Sequence, residues 1–227
     1  MRQTIVPLFA FVLLGAGVAF AAAPDKDALK CPKDTVQKAS IMPCKPGDDC
    51  DSAHKTLWCA RPDGMRHGPQ RSWFDHGERK TPRSTGQYKD GRKEGKWTWW
   101  YRNGKRRSVG AYEGDQRTGA WTIWYDNGQK NEAGRFAKDV PEGQWSTWHD
   151  NGKLASKGKW AAGKRTGAWT FWDVEGKVEA KGSFGPKGHR HGKWSIKAGS
   201  GALETVCYEH ARKIACAAPK KEANKPR

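Results

Sequence analysis

The stretch GKWTWWYRNGKRRSVGAYEGDQRTG, residues 95–119, decides the architecture. It opens on Gly95, runs through Trp97, Trp99 and Trp100 to Asn103-Gly104, then continues through Arg107, Val109 and Tyr112 to Gly119. Asn-Gly between short aromatic and β-branched runs marks a hairpin, because a two-residue type I′ turn needs positive φ at both central positions. With Asn103-Gly104 as the loop, Arg102 is expected opposite Lys105, Trp100 opposite Arg107 and Trp97 opposite Gly110. Side chains alternate along a strand. One face then carries Trp97, Trp99, Tyr101, Ser108, Gly110 and Tyr112; the other carries Thr98, Trp100, Arg107 and Val109.

The stretch recurs. Trp97, Trp121, Trp145 and Trp169 are 24 residues apart, and Trp194 follows after 25. Trp100, Trp124, Trp148 and Trp172 keep the same period, as do Asn103-Gly104, Asn127-Gly128, Asn151-Gly152 and Glu175-Gly176. An internal glycine follows in each unit (Gly110, Gly134, Gly158, Gly182), then an aromatic two residues on (Tyr112, Phe136, Trp160, Phe184). Each unit closes on Gly119, Gly143, Gly167 or Gly192. An earlier copy is degenerate, with Gln70 in place of the leading Trp and extra residues around Pro82; terminal repeats depart in this way because they cap a stack. A second turn, as in Lys89-Asp90-Gly91 and Ala162-Gly163, leads to the next unit. Units this short leave no room for a helical crossover. The expected fold is all-β: an elongated single antiparallel meander sheet of about five 24-residue hairpins, with disulfide-stapled ends.

The pattern resembles the bacterial MORN-repeat variant, G-x-W-x-x-W-Y-x-N-G-x5-G-x-Y-x2-G-x3-G, often described as antitoxin-component-like, from about Gly64 to Lys197. The resemblance implies a long antiparallel sheet and a role in binding proteins, membranes or toxin partners.

The face of Trp97 reads as the core. The glycine opposite each leading Trp offers bare backbone for the indole, so Gly134→Val is expected to displace Trp121. The second face presents a column of Trp100, Trp124, Trp148 and Trp172 beside Thr98, Thr122, Ser146 and Thr170. Cations are expected among them: Lys105, Arg107, Arg135, Lys153, Lys157, Lys159, Lys177 and Lys181. Basic groups between aromatic faces suit an anionic polymer or stacked sugars. The plainer reading has these indoles shielding the sheet under Lys and Arg stems.

Arg2, the apolar run Ile5–Val18 and Ala19-Phe20-Ala21 form a secretory leader pattern, with cleavage expected before Ala22. The organisation read from sequence is a signal peptide (1–21), a Cys-rich cap (22–60), hairpin repeats (61–198), a disulfide hairpin (199–217) and a disordered basic tail (218–227). After removal of the leader no transmembrane segment is expected, and the compartment is periplasmic or secreted. Six cysteines without metal-type spacing fit disulfides in an oxidising compartment. A turn near Ala211-Arg212 sets Cys207 opposite Cys216 as a pair. Cys31, Cys44, Cys50 and Cys59 allow three connectivities, and sequence does not choose among them.

The chain carries 42 Lys plus Arg against 24 Asp plus Glu, a net charge of +18. In an exported protein that balance points to a protein partner or an anionic envelope surface, lipid headgroup or polysaccharide, rather than nucleic acid. No nucleophile elbow, phosphate loop or paired-carboxylate motif occurs, so no catalytic residue, cofactor or metal site is expected. His189-Arg190-His191 reads as a solvated turn. The function expected is that of an exported non-enzymatic repeat scaffold. The alternative is an antitoxin-like immunity protein neutralising a protein toxin.

Overall fold

A computed structural model describes residues 28–42, 54–76 and 79–216. Fifteen strands follow one another: β1 (Val36–Met42), β2 (His54–Ala60), β3 (Arg66–His76), β4 (Arg79–Lys89), β5 (Arg92–Trp100), β6 (Arg106–Glu113), β7 (Gln116–Trp124), β8 (Lys130–Ala137), β9 (Val140–Trp148), β10 (Leu154–Ala161), β11 (Lys164–Trp172), β12 (Val178–Phe184), β13 (Arg190–Lys197), β14 (Leu203–Glu209) and β15 (Arg212–Ile214). Each pairs antiparallel with its successor in one open sheet ordered β1 to β15. The described residues contain no helix.

The two kinds of turn exchange the roles expected of them. At the Asn-Gly corners the Gly104 N–H donates to Tyr101 O (3.0 Å) and the Tyr101 N–H to Lys105 O (2.8 Å). The loop is therefore three residues, Arg102 to Gly104, and only Gly104 has positive φ (+83°). This is a type I turn closed by a glycine bulge, the commonest three-residue hairpin. Asn103 stays out of the left-handed region because its side chain is used elsewhere. Its Oδ1 accepts from the Lys105 N–H (3.0 Å) and its Nδ2 donates to Asp126 O of the next unit (2.8 Å). Type I′ pairs occur instead at the other corners: Asp90-Gly91 (φ +50° and +77°), Lys138-Asp139 (+50°, +67°) and Ala162-Gly163 (+47°, +74°).

The three-residue loop moves the expected pairing by one residue, and the extra residue Arg107, between the pairs Trp100↔Arg106 and Trp99↔Ser108, restores it beyond. Trp100 faces Arg106 rather than Arg107, whereas Trp97 faces Gly110 as expected. Likewise Trp124 faces Lys130 rather than Asn131, Trp148 faces Leu154 rather than Ala155, and Trp172 faces Val178 rather than Glu179.

The core lies on the face of Trp97. Trp97, Trp121, Trp145, Trp169 and Trp194 are all buried, with Trp194 fully so. Their rings meet the second aromatic of each unit edge-on, as in Tyr112–Trp121 (centroids 5.2 Å, 86°) and Phe136–Trp145 (5.1 Å, 82°). The glycine beneath each indole is not the one opposite it in its own hairpin. A Cβ on Gly110 would lie 2.1 Å from Trp121, one on Gly86 would lie 2.1 Å from Trp97, and one on Gly134 would lie 2.2 Å from Trp145. Gly134 thus supports Trp145, not Trp121.

A second bulge explains why. Between the pairs Val109↔Thr122 and Ala111↔Thr118, the three residues Gly119, Ala120 and Trp121 stand against the single Gly110. Gly119 adopts φ +64°, where a side chain is strained. The widened ladder frees the carbonyl of Ala111, which accepts the Trp121 indole N–H at 3.1 Å. The same bond recurs from Trp97 to Gln87 O, Trp145 to Arg135 O, Trp169 to Lys159 O and Trp194 to Ser183 O.

Cys31–Cys59 (Cα–Cα 5.5 Å) and Cys207–Cys216 (5.2 Å) are disulfides. The segment read as an irregular cap contributes β1 and β2 to the sheet. The final hairpin turns at His210-Ala211, one residue earlier than expected, so Cys207 faces Ile214 and its partner Cys216 lies just past β15. Cys44, Cys50, the leader and the basic tail lie outside the described residues.

Candidate functional site

An open single-layer sheet has two faces on which to build a site. On the face opposite the core, Thr85, Thr98, Val109, Thr122, Ala133, Ser146, Lys157, Thr170, Lys181, Ser195 and Thr205 form one continuous row of cross-strand neighbours. Nearer the Asn-Gly loops runs the expected indole row, with Trp100, Trp124, Trp148 and Trp172 all half-buried. Its partners are Arg106, Lys130, Leu154 and Val178, so the row is cationic in its first half and apolar in its second. Lys130 Nζ lies 5.5 Å from the Trp148 ring.

The cations assigned to this face disperse. Arg135, Lys157 and Lys159 are exposed on it. Lys105 and Lys153 instead serve the loop edge, where each ammonium donates to a carbonyl of the next loop: Lys105 to Asn127 O (2.7 Å) and Lys153 to Glu175 O (3.0 Å). Arg107, the extra residue of its bulge, is not beside Trp100. It lines a cleft on the aromatic face, because bulges re-aim side chains.

The aromatic face carries a second set of cations that the reading of the sequence did not single out. Lys93 Nζ lies 5.0 Å from the Tyr112 ring and 5.4 Å from Trp97. The Arg117 guanidinium lies 3.9 Å from Phe136, Arg165 lies 4.9 Å from Trp169, and Arg190 lies 4.6 Å from Trp194. Each stands directly across from the second aromatic of the preceding strand, as Arg117 does from Tyr112 and Arg165 from Trp160. The signal was in the sequence, since Lys93, Arg117 and Arg165 keep the 24-residue period or its multiple; Pro141 interrupts the series. Cations over ring faces are attractive because the ring quadrupole is negative there.

Charge compensation along this column is sparse. Arg117 Nε pairs with Asp139 at 2.7 Å, and that hydrogen bond holds the Asp139 carboxyl below the usual aspartate range. Among the described residues Arg165 has no carboxylate partner, and its buried Nε has no hydrogen-bond partner. Burial, and then the charge of Arg190, keep its guanidinium below the ordinary arginine value. Arg83 is lowered in the same way by burial and by Arg107.

A cleft of about 320 Å³ on the aromatic face is bounded by Lys93, Trp99, Arg107, Ser108, Tyr112 and Trp121. A cavity of about 220 Å³ brings His189 and His191 together with His210. Among the described residues no group of three His, Cys, Asp or Glu is arranged to hold a metal ion.

Residues 93–113 and 141–161 match the model of the MORN repeat variant. Both segments begin at the same phase of the repeat, and each spans two strands joined by an Asn-Gly loop. These two segments are similar to MORN-variant repeats. The unit between them, residues 117–137, has the same hairpin, bulges and indole bond. MORN repeats are generally non-catalytic binding scaffolds, and the sheet described here fits that role. No curated protein matches the chain.

Proposed function

We propose that the protein is exported and acts as a non-enzymatic scaffold, binding a protein or anionic envelope component through basic, aromatic surface of its MORN-variant sheet. The observation that carries this reading is the cation column on the aromatic face, where Lys93, Arg165 and Arg190 lie over rings without carboxylate partners among the described residues. Arg165 and Arg190 repel each other, and an anionic partner relieves that repulsion. The net charge of +18 supports the same partner chemistry.

Export is supported by the two disulfides, which fit an oxidising extracellular or periplasmic compartment, and by the leader pattern read at residues 1–21. A crosslinked pull-down of the tagged protein from the cell envelope tests the reading. A specific envelope component is expected at low ionic strength and is expected to be lost at moderate ionic strength. Recovery of nothing above a charge-matched control at either ionic strength would refute it.

A further inference from the structure

The cleft beside Trp99 is not required by the repeat. At the Trp99 position the later units carry Ile123, Thr147, Phe171 and Ile196, and at the Arg107 position they carry Asn131, Ala155 and Glu179. Those units fold with the same strands, loops and indole bonds. Packing alone therefore does not demand an indole and a guanidinium here.

The groups around the cleft are also uncommitted. Among the described residues neither Arg107 nor the Lys93 ammonium has a carboxylate partner, and none hydrogen-bonds the hydroxyls of Ser108 or Tyr112. Ser84 and Ser156, at the position of Ser108 in other units, do have partners, at 2.6 Å (Ser72) and 2.7 Å (Thr147). The half-buried Trp99 lies between Trp97 and Trp121 with its plane within 27° of theirs (centroids 5.5 and 5.8 Å); these are offset contacts, longer than the face-to-face overlap at about 3.5–4 Å that would cover its ring, and they fix its ring plane. The cleft thus offers a rigid indole, two hydroxyls, an ammonium and the only described Arg or Lys other than Lys93 on its walls, a guanidinium. Arg83 stands close enough to repel Arg107, which favours an anion between or beside them.

A sugar ring matches this set. Its C–H face packs on an indole, its hydroxyls exchange hydrogen bonds with Ser and Tyr, and a carboxylate or sulfate takes the guanidinium fork in two parallel bonds. The cleft is open to solvent, so the chain of a polymer can enter and leave it. We infer that the cleft binds an acidic sugar unit of an anionic polysaccharide, with its charged group on Arg107 and Lys93 and its apolar ring face on Trp99. The inference rests on the scaffold reading above and names the chemistry of its partner.

The test titrates the full oxidised protein with an oligogalacturonate, a sulfated dextran oligosaccharide and neutral maltohexaose, followed by calorimetry and indole fluorescence. At least one anionic sugar is expected to bind and maltohexaose is not. Binding of one anionic sugar alone identifies whether carboxylate or sulfate is the group recognised. Arg107→Asn and Trp99→Ile, each borrowing the residue of the next unit, are expected to weaken binding tenfold or more, the first with an unchanged Tm and the second in a folded protein of lower Tm, since Trp99 contacts Trp97 and Trp121. Lys130→Gln, on the opposite face, leaves it unaltered. Equal affinity for maltohexaose, equal affinity in the Arg107→Asn variant, or no binding at millimolar sugar would each overturn the inference. If the sugars fail while the envelope pull-down still recovers a component, the scaffold reading stands and this site assignment falls.

Discussion

Replacing Gly134 by alanine places a methyl carbon 2.2 Å from Cδ2 and Cε2 of Trp145. Carbon atoms in contact sit about 3.5–4 Å apart, so the indole has to withdraw by more than an ångström. Gly134 is not in the left-handed region, so the cost is steric and not conformational. Withdrawal breaks the Trp145 indole bond to Arg135 O (3.2 Å), worth about 1 kcal/mol. It also overpacks a site where Trp145 is only 6% exposed, adding about 1–3 kcal/mol. Together these give about 3 kcal/mol, or a fall in Tm of about 6–12 °C for a domain of this size. Urea unfolding of a double-mutant cycle is the assay. In a Trp145→Ala background the alanine at 134 is expected to cost about 0.5 kcal/mol or less, because nothing remains to clash with it. In a Trp121→Ala background the full penalty is expected to persist. A penalty that vanishes with Trp121 and survives with Trp145 would refute the assignment of each indole to the glycine of the preceding hairpin.

Two further outcomes are expected. Asn127→Ala removes the acceptor of the Gln129 N–H (2.8 Å) and the donor to Asp150 O (2.6 Å); it should lower stability by about 1–2 kcal/mol in chemical denaturation, while Asn127→Asp, which keeps the acceptor, should lose less. NMR titration of Asp139 should place its carboxyl below the ordinary aspartate range, with the Arg117 Nε resonance moving in step, since their hydrogen bond is the main cause of the shift. Because the folded value is depressed, the stabilisation is present above the unfolded aspartate value of about 3.9 and is lost as pH falls through the folded one. A carboxyl titrating at or above the ordinary value would contradict the pairing.

The candidate site was legible only in part. Periodicity places Trp100, Trp124, Trp148 and Trp172 at equivalent positions of successive hairpins, because the hairpins repeat side by side. Their interleaving residues were misassigned, since one extra residue at each Asn-Gly loop substitutes Arg106 and Lys130 for Arg107 and Asn131. A separate bulge, in which Arg107 is itself the extra residue, sends it to the aromatic face, where the cleft is. Alternation counted from the loop cannot reveal a bulge, because a bulge is a property of the paired strands and not of either strand alone.

What the chain determined by itself is the all-β meander, the unit length, the core face and the pairing of Trp97 with Gly110, all of which follow from local propensity and a strict 24-residue recurrence. The pairing of Cys207 with Cys216 was equally readable, since nine residues suit a tight hairpin whichever way it turns. Tertiary structure alone decided which glycine lies under which indole, why Gly119 must be a glycine, and where each cation rests. Those outcomes depend on contacts between strands of neighbouring units. There, a bulge of two residues shifts an indole onto the preceding strand and leaves one carbonyl for its N–H to find.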